Sequence, residues 1–410
     1  MKTREFSEYK RLFRSQIQNH FLTQQSLLKQ KKRATVLNHF GDYLSVRIWD
    51  WFIHYFKSRF GPKHKFLEYP ADNNGVFKMH QDVKMVVAAD WATDTLESSR
   101  IGRLMNDERG DYTVHLGDTY FVGAPQEIDS NFLAPGNPWP RGKAGTLAIP
   151  GNHEFYSNGN SYFKKLLPHM FVVEKDIRRN QAASFFCLEN DHWRVLGLDT
   201  GYYSVGKPIL EWIFRPDAHF DKKIMTWLRE VVKLDKNEKR GLVIFTHHPY
   251  FSSFERQYRT PATQLKSLIG DDKEVIWFWG HEHRFAVYGK FQSKGGIQAF
   301  GRCIGHGGMP VEVASRKSKP SLENSRKFNL VFYDQRQRTR VGNTPVGHNG
   351  YSTLAFSGAR LVIQHRDENT WLLEEEWKID NTMGKITGIK IVSNPAVGIT
   401  PLAPLDLAVK

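Results

Sequence analysis

The N-terminal part of the chain has apolar positions at helical spacing. Phe6, Tyr9, Phe13, Ile17 and Phe21 recur at intervals of three and four, which predicts an amphipathic helix. A second helical pattern covers about residues 35–60 and ends at Gly61-Pro62. Its apolar face, broader than an ordinary core stripe, comprises Leu37, Leu44, Ile48, Trp49, Trp51, Phe52, Ile53, Tyr55 and Phe56. We therefore predict a helical extension over residues 1–80.

From residue 82 the helical spacing gives way to short apolar runs that end in polar turns. Such runs, separated by helical or irregular connections, are typical of α/β proteins. The first six are Val83–Ala89, Tyr112–Leu116, Thr146–Ile149, Trp193–Leu198, Leu242–Thr246 and Glu274–Trp279. Four more are Leu330–Tyr333, Tyr351–Phe356, Ala359–His365 and Thr370–Lys378. We predict an α/β domain over residues 81–380 and a C-terminal tail over residues 381–410.

Five of the first six runs lead into residues that commonly bind metals. Because loops at the carboxyl ends of strands in open α/β sheets converge on one crevice, these side chains are expected to meet. The set is Asp90, Asp118, Asn152, His247, His281 and His283. Three imidazoles, two carboxylates and an amide oxygen suit a pair of borderline divalent ions, which a shared carboxylate would hold roughly 3.5–4 Å apart. Asp199, which follows the remaining run, is predicted to have no ligand role.

Composition and charge narrow the class of protein. The 410 residues include 58 Lys and Arg against 43 Asp and Glu, a net charge of +15 that favours anionic partners. No apolar stretch is long enough to span a membrane, and the charged N-terminus does not look like a secretory signal. The only cysteines, Cys187 and Cys303, exclude a disulfide framework and fit reduced thiols. We expect a cytoplasmic protein.

The motifs Asp90, Gly117-Asp118, Gly151-Asn152-His153-Glu154, His247 and Gly280-His281-Glu282-His283 resemble the calcineurin-like metallophosphoesterase superfamily, which includes purple acid phosphatases. The resemblance implies a four-layer α/β/β/α sandwich and two divalent ions, with Mn, Fe and Zn all suitable. It implies that Asp118 bridges the ions, that Asp90 and His283 bind the first, and that Asn152, His247 and His281 bind the second. His153 would contact the phosphate, beside Asn152, or protonate the leaving oxygen.

The first metal site departs from the family pattern. The common motif Asp-x-His is Asp90-Trp91-Ala92 here, and alanine cannot bind a metal. Purple acid phosphatases instead have a tyrosine three residues after the bridging aspartate, where this chain has Phe121. Adjacent residues of an extended segment point in opposite directions, so Tyr120 is expected to be a poor substitute. Water or Asp94 could complete this site, and we expect it to bind its ion more weakly than the second.

Three further residues have two interpretations each. Glu154 either holds His153 by a hydrogen bond or is solvated. His248 is interpreted as a packing or turn residue rather than part of the site. His306, within Gly305-His306-Gly307-Gly308, is interpreted as an exposed residue of a glycine turn, with contact to the substrate as the alternative.

The expected function is hydrolysis of a phosphate ester by hydroxide formed at the metal centre, with catalysis by Asp118 and His153. One alternative is a nuclease or cyclic-nucleotide phosphodiesterase, although nucleic acid is the less favoured partner because the basic runs lack interleaved aromatics. Another is a scaffold with weakened metal binding that contacts a membrane or partner protein. The apolar N-terminal face needs a cover, for which we rank the domain first, an oligomer second and a membrane third.

Overall fold

The computed structural model describes residues 60–134, 138–206, 216–311, 313, 318–341, 344–399 and 401–402. The predicted helices before residue 60, with their proposed subunit or membrane contacts, lie outside these residues. No helix in the described ranges is long and apolar enough to cross a membrane.

Nineteen strands run through the described chain. They are β1 (Val76–Lys78), β2 (Asp82–Ala88), β3 (Tyr112–His115), β4 (Gly145–Ala148), β5 (Phe171–Glu174), β6 (Ile177–Asn180), β7 (Phe186–Glu189), β8 (Trp193–Gly197), β9 (Gly241–Thr246), β10 (Glu274–Trp279), β11 (Phe285–Phe291), β12 (Gln298–Ile304), β13 (Leu330–Tyr333), β14 (Thr339–Val341), β15 (Thr344–Val346), β16 (Gly350–Ser357), β17 (Arg360–Asp367), β18 (Trp371–Asp380) and β19 (Lys385–Ser393). The α-helices are α1 (Leu96–Asp107), α2 (Pro125–Ile128), α3 (Asn152–Tyr156), α4 (Lys222–Glu230), α5 (Thr260–Ile269) and α6 (Leu322–Lys327).

Most strands form two mixed sheets. The first has the order β1-β7-β8-β9-β10-β12-β11-β13, and the second has the order β19-β18-β17-β16-β2-β3-β4-β5-β6. Strands β8, β9, β10 and β12 run parallel in the first sheet, as do β2, β3 and β4 in the second. Their carboxyl ends therefore supply loops from both sheets. The short ribbon β14-β15 stands apart.

The hydrophobic core has three layers. One cluster lies between the sheets and includes Val87 and Val114 from one sheet with Phe245 and Phe278 from the other. A second cluster joins the outer face of the first sheet to α4 and α5, and a third joins the outer face of the second sheet to α1. The arrangement is the predicted four-layer α/β/β/α sandwich, because each sheet buries both faces.

The domain extends beyond the boundaries predicted at residues 80 and 381. Strand β1 pairs with β7, and Tyr69 donates a hydrogen bond to the carbonyl of Phe185 at 2.7 Å. At the other end, β19 pairs with β18 along its length and forms the edge of the second sheet. Described residues on both sides of these boundaries thus belong to the sandwich, and the segment from residue 61 to 75 is not helical.

Candidate metal centre

The predicted ligands lie in the loops that follow β2, β3, β4, β9 and β10. Asp90, Asp118 and His247 form one group whose ligand atoms all lie within 4.8 Å of one another, and all three are buried. His281 and His283 join this group through Asp90: the backbone N–H of His281 donates to Asp90 Oδ2 at 2.9 Å, and His283 Nε2 lies 3.6 Å from Asp90 Oδ1. The structure therefore brings together residues far apart in the chain.

Two turns in this cluster require glycine because no side chain would fit. A Cβ atom on Gly151 would lie 2.1 Å from Asp118 Oδ1. A Cβ atom on Gly117, whose φ is +96°, would lie 2.5 Å from the backbone nitrogen of Gly151. Asp90 and Asp118 themselves have positive φ values of 57° and 69°. Such strained backbone costs on the order of 1–3 kcal/mol per residue and is concentrated at functional sites.

The two carboxylates have opposite tendencies to ionise. Burial raises the pKa of Asp90 well above its ordinary value, against the opposing charge of His247. Burial also opposes ionisation of Asp118, but His153 and His247 outweigh it and hold the pKa of that carboxyl well below its usual range. Two adjacent buried carboxylates would both ionise only with additional positive charge beside them.

His247 supplies the test of whether a cation fits. Its Nδ1 lies 2.8 Å from the carbonyl of Leu116, so Nδ1 donates there and Nε2 faces the cluster. Burial opposes a charge on this ring, but Asp118, followed by Asp90, raises the pKa of His247 to about 9, so without an ion Nε2 holds a proton that a bound cation would replace. Nε2 is buried, 3.2 Å from Asp118 Oδ2, and no described residue makes a hydrogen bond to it. A buried nitrogen without a hydrogen bond, facing a carboxylate, suits a metal ion, and the donor set of imidazole, carboxylate and amide suits Mn, Fe or Zn.

Asn152 joins the cluster through its side-chain amide. Its Oδ1 lies 2.9 Å from His281 Nδ1, so two ligands predicted for the second ion already face each other. Burial, followed by the charge of His247, lowers the pKa of His281 to about 3. Burial likewise lowers the pKa of His283 to about 3. Both imidazoles are therefore neutral at ordinary pH, which is the form that binds metals.

The expectation that Tyr120 points away from the first site is wrong. Its hydroxyl donates to Asp90 Oδ1 at 2.5 Å and lies 2.9 Å from His283 Nε2. It also lies 3.3 Å from Asp118 Oδ2, and the residue is only 1% exposed. The segment after Asp118 turns instead of running extended, so alternation of side chains does not apply there.

His153 lies beside the carboxylate of Asp118, and one of its ring nitrogens is engaged in a hydrogen bond. Its Nδ1 lies 2.5 Å from the carbonyl of Phe121, so Nδ1 donates the proton and Nε2 is free. Nε2 lies 3.6 Å from Asp118 Oδ2, and the ring packs between Tyr120 and Tyr156 at centroid distances of 4.4 and 4.8 Å. Burial lowers the pKa of His153 below its ordinary value, although Asp118 opposes the shift.

Glu154 neither bonds to His153 nor is solvated, so neither interpretation of this residue is correct. Its carboxylate accepts backbone N–H groups from Gly151 at 2.7 Å, Thr119 at 2.6 Å and Asp118 at 3.1 Å. Burial raises its pKa to about 7, with the nearby Asp118 as the next cause. One side chain thus ties the loop after β3 to the loop after β4.

Asp199 and the two remaining histidines differ in their relation to the cluster. Asp199 turns away, accepting from Ser184 Oγ at 2.6 Å and from the N–H of Tyr202 at 2.8 Å. His306 is buried rather than exposed and stacks on Phe285 at 5.4 Å. His248 does lie in the site: its nitrogen, with those of His247 and His281, forms a second group within 4.8 Å. The sequence feature that could have indicated this is the position of His248 directly after His247, at the end of β9.

A cavity of about 550 Å³ lies at the opposite end of the first sheet and does not contact this cluster. Its lining includes Glu189 and Glu238, whose carboxylates form ion pairs with Arg194 and Arg240. Because these acids are neutralised and the cavity is open, it does not compete with the metal cluster as a functional site.

Residues 84–285 match the family model of the calcineurin-like phosphoesterases. The matched stretch contains all six predicted ligands, and this part of the chain belongs to the calcineurin-like phosphoesterase family. No curated protein sequence matches the chain.

Several solved structures are similar in fold. Purple acid phosphatase PPD1 from yellow lupin (Lupinus luteus) seeds is 14% identical, with 77% of this chain and 54% of that chain covered and a TM-score of 0.45. GAP50, the anchor in the inner membrane complex of Plasmodium, is 13% identical over 73% of this chain and 90% of that chain, with a TM-score of 0.45. A dimetal phosphatase from Danio rerio is 15% identical over 71% and 98%, with a TM-score of 0.37. The chain spans about half the length of the lupin enzyme.

Proposed function

We propose that the protein hydrolyses phosphate esters at a centre of two divalent metal ions. The observation that carries this proposal is the buried group of Asp90, Asp118 and His247, to which Asn152 and two further histidines are joined. Membership of the phosphoesterase family supports the class of reaction. The number of ions, their identity and the substrate are parts of the proposal.

The ligands divide between two ions according to their contacts. Asp90 and His283 would bind the first ion, and Asn152, His247 and His281 the second, with Asp118 shared. Tyr120 joins the first group because its hydroxyl contacts Asp90 and His283 directly. When bound, the ions supply charge neutralisation of the phosphate and an activated water molecule.

Tyr120 also accounts for the missing histidine at position 92. Ala92 is fully buried, and its carbonyl accepts the N–H of Tyr120 at 3.0 Å. Ala92 is therefore joined through its backbone to the residue whose hydroxyl enters the site. We infer that the first site is complete in this chain, through an oxygen donor from Tyr120 in place of an imidazole nitrogen.

His153 would act on the substrate itself. The bond from Nδ1 to the carbonyl of Phe121 fixes the tautomer and leaves Nε2 as the atom that faces the centre. A phosphate bound beside Nε2 would add negative charge there and favour a second proton on this nitrogen, against the effect of burial. That proton could pass to the leaving oxygen as the bond to phosphorus breaks, which leaves the imidazole neutral until solvent supplies another proton. The two flanking tyrosine rings keep the imidazole in place without competing for that proton.

The test is metal analysis of the purified protein combined with a panel of phosphate monoesters and diesters. We expect two ions per chain, and hydrolysis that a chelator abolishes and added metal restores. Asp118→Asn should lose both ions and the activity. The matched control is Asp199→Asn, a buried aspartate that also follows a strand but faces Ser184 and Tyr202. Full metal content in Asp118→Asn would contradict the shared-ligand assignment.

The alternatives give distinct results in the same experiment. A preference for diesters or nucleic acid would favour the nuclease or cyclic-nucleotide phosphodiesterase. Absence of bound metal and of hydrolysis in the wild-type protein would favour the scaffold. The cytoplasmic location stays a prediction, which fractionation of cells that produce the protein would test.

A further inference from the structure

The side-chain amide of Asn152 has two ends of nearly equal shape and opposite chemistry. The oxygen Oδ1 can bind a cation, whereas the nitrogen Nδ2 carries only hydrogen-bond donors. Asn152 would be an effective ligand only if something selects the orientation that presents its oxygen. An amide that rotates freely would present the nitrogen to the ion for part of the time.

The hydroxyl of Tyr156 provides this selection. Nδ2 of Asn152 donates to the Tyr156 hydroxyl oxygen at 3.1 Å, and on the other side Oδ1 lies 2.9 Å from His281 Nδ1. With Nδ2 engaged by Tyr156, Oδ1 faces the predicted ligands of the second ion. The two residues begin and end α3, four positions apart, so they lie on the same face of that helical turn.

The ring of Tyr156 also packs against the ring of His153. The two rings meet at 4.8 Å with an interplanar angle of 64°. The hydroxyl and the ring therefore have separable contacts: the hydroxyl orients a predicted ligand, and the ring packs against the predicted acid. A substitution that removes the hydroxyl and keeps the ring would delete the first contact and keep the second.

We propose that Tyr156 is a positioning residue of the second metal site, which acts by fixing the amide orientation of Asn152. This inference rests on the proposed function, because it assigns a role toward the second ion. Tyr156 touches neither ion nor substrate in this role. Groups that orient a metal ligand typically account for about 10–100-fold in metal affinity.

The test is calorimetric titration of metal into the metal-free Tyr156→Phe protein. We expect the affinity of the second ion to fall about 10–100-fold, with the first ion unchanged. The matched control is Tyr202→Phe, which removes a neighbouring tyrosine hydroxyl that donates to the carbonyl of His64 at 2.7 Å. The control should bind both ions as the wild type does. Thermal unfolding of each metal-free variant confirms that the fold is retained.

A double-mutant comparison separates orientation of Asn152 from a general structural effect. In an Asn152→Ala background there is no amide to orient, so Tyr156→Phe should have no additional effect on the second ion. An equal loss in both backgrounds would overturn the proposal, and so would wild-type affinity in the single variant. A changed dependence of rate on the leaving group would also overturn it, because Tyr156 would then act through His153. Failure of the wild-type protein to bind two ions would instead refute the proposed function.

Discussion

Removal of the Tyr120 hydroxyl tests the composition of the first metal site. The substitution Tyr120→Phe deletes one buried oxygen and leaves the ring, which packs on His153 at 4.4 Å. The deleted oxygen contacts Asp90 Oδ1 at 2.5 Å and His283 Nε2 at 2.9 Å, while the ring itself meets the His283 ring at 5.8 Å. The perturbation therefore falls mainly on two predicted ligands of the first ion, with a longer contact of 3.3 Å to the shared Asp118.

The size of the effect follows from these contacts. A hydrogen bond to a charged group is worth about 1.5–3 kcal/mol. Because about 1.4 kcal/mol corresponds to a factor of ten in affinity, this energy predicts a loss of roughly 10–150-fold for the first ion. Direct ligation by the hydroxyl would raise the loss toward the upper end of this range. The second ion should lose less affinity than the first, since the hydroxyl does not contact Asn152, His247 or His281 and lies 3.3 Å from the shared Asp118.

Calorimetric titration of the metal-free protein measures the two affinities separately. Tyr162→Phe is the matched control: this tyrosine is equally buried, and its hydroxyl donates to the carbonyl of Ala148 at 2.8 Å, away from the cluster. Unchanged affinity for both ions in Tyr120→Phe would refute a role for the hydroxyl. Equal weakening of both ions would show that Tyr120 supports Asp118 or the fold rather than the first site.

Three further predictions concern proton transfer, loop geometry and stability. His153→Ala should retain both ions but lower kcat about 10²–10⁴-fold, with a smaller loss for aryl than for alkyl phosphate esters in steady-state assays. Glu154→Gln should weaken both ions in metal titrations, because an amide nitrogen cannot accept the backbone N–H groups of the bridging loop. Glu375→Gln should destabilise the protein at pH 7 by about 3–5 kcal/mol in urea unfolding, since it leaves the buried guanidinium of Arg302 without its charged partner. Burial opposes ionisation of Glu375, but Arg302 outweighs it, and the pKa of this carboxyl is lowered to about 2. The stability that the charged form contributes in the wild type should be lost as pH falls from about 4.5 toward 2, so the difference between wild type and variant should shrink over that range.

The strands that lead to the predicted ligands could be predicted because apolar residues dominate each of them, although β2 includes Lys84 and β3 includes Thr113. Strand β9, for example, is buried at all six positions from Gly241 to Thr246, so both of its faces require apolar residues. The polar residue that ends such a run marks the edge of the sheet. Topology then brings these ends together, which is why a sequence pattern spread over nearly two hundred residues predicted one cluster.

The short and edge strands could not be predicted from their own sequences. Strand β1 has only three residues, Val76–Lys78, and forms because β7 offers it hydrogen bonds.

The buried charged residues also could not be predicted from the sequence. Arg302 and Glu375 are fully buried between the sheets, joined by two hydrogen bonds of 2.6 Å, with His365 Nε2 2.7 Å from the same carboxylate. Charged residues in a strand normally indicate a face exposed to solvent. Here both residues can be buried because Arg302 and Glu375 pair across the core.

Tyr120 shows why a missing ligand should be considered together with its spatial neighbours. The rule that excluded it assumes an extended chain, but Asp118 has positive φ, and Glu127 accepts the N–H groups of Val122 and Ala124 at 3.0 and 2.8 Å in the turn that follows. Two sequence signals were available: Gly123, at φ +62°, ends this turn, and Ala92 stands at a usual ligand position without a side chain that can bind a metal. A small residue at a ligand position leaves space as well as a vacant coordination position. A polar side chain from an adjacent turn can fill both. When one expected ligand is missing, neighbouring loops should therefore be examined for a substitute before weak metal binding is inferred.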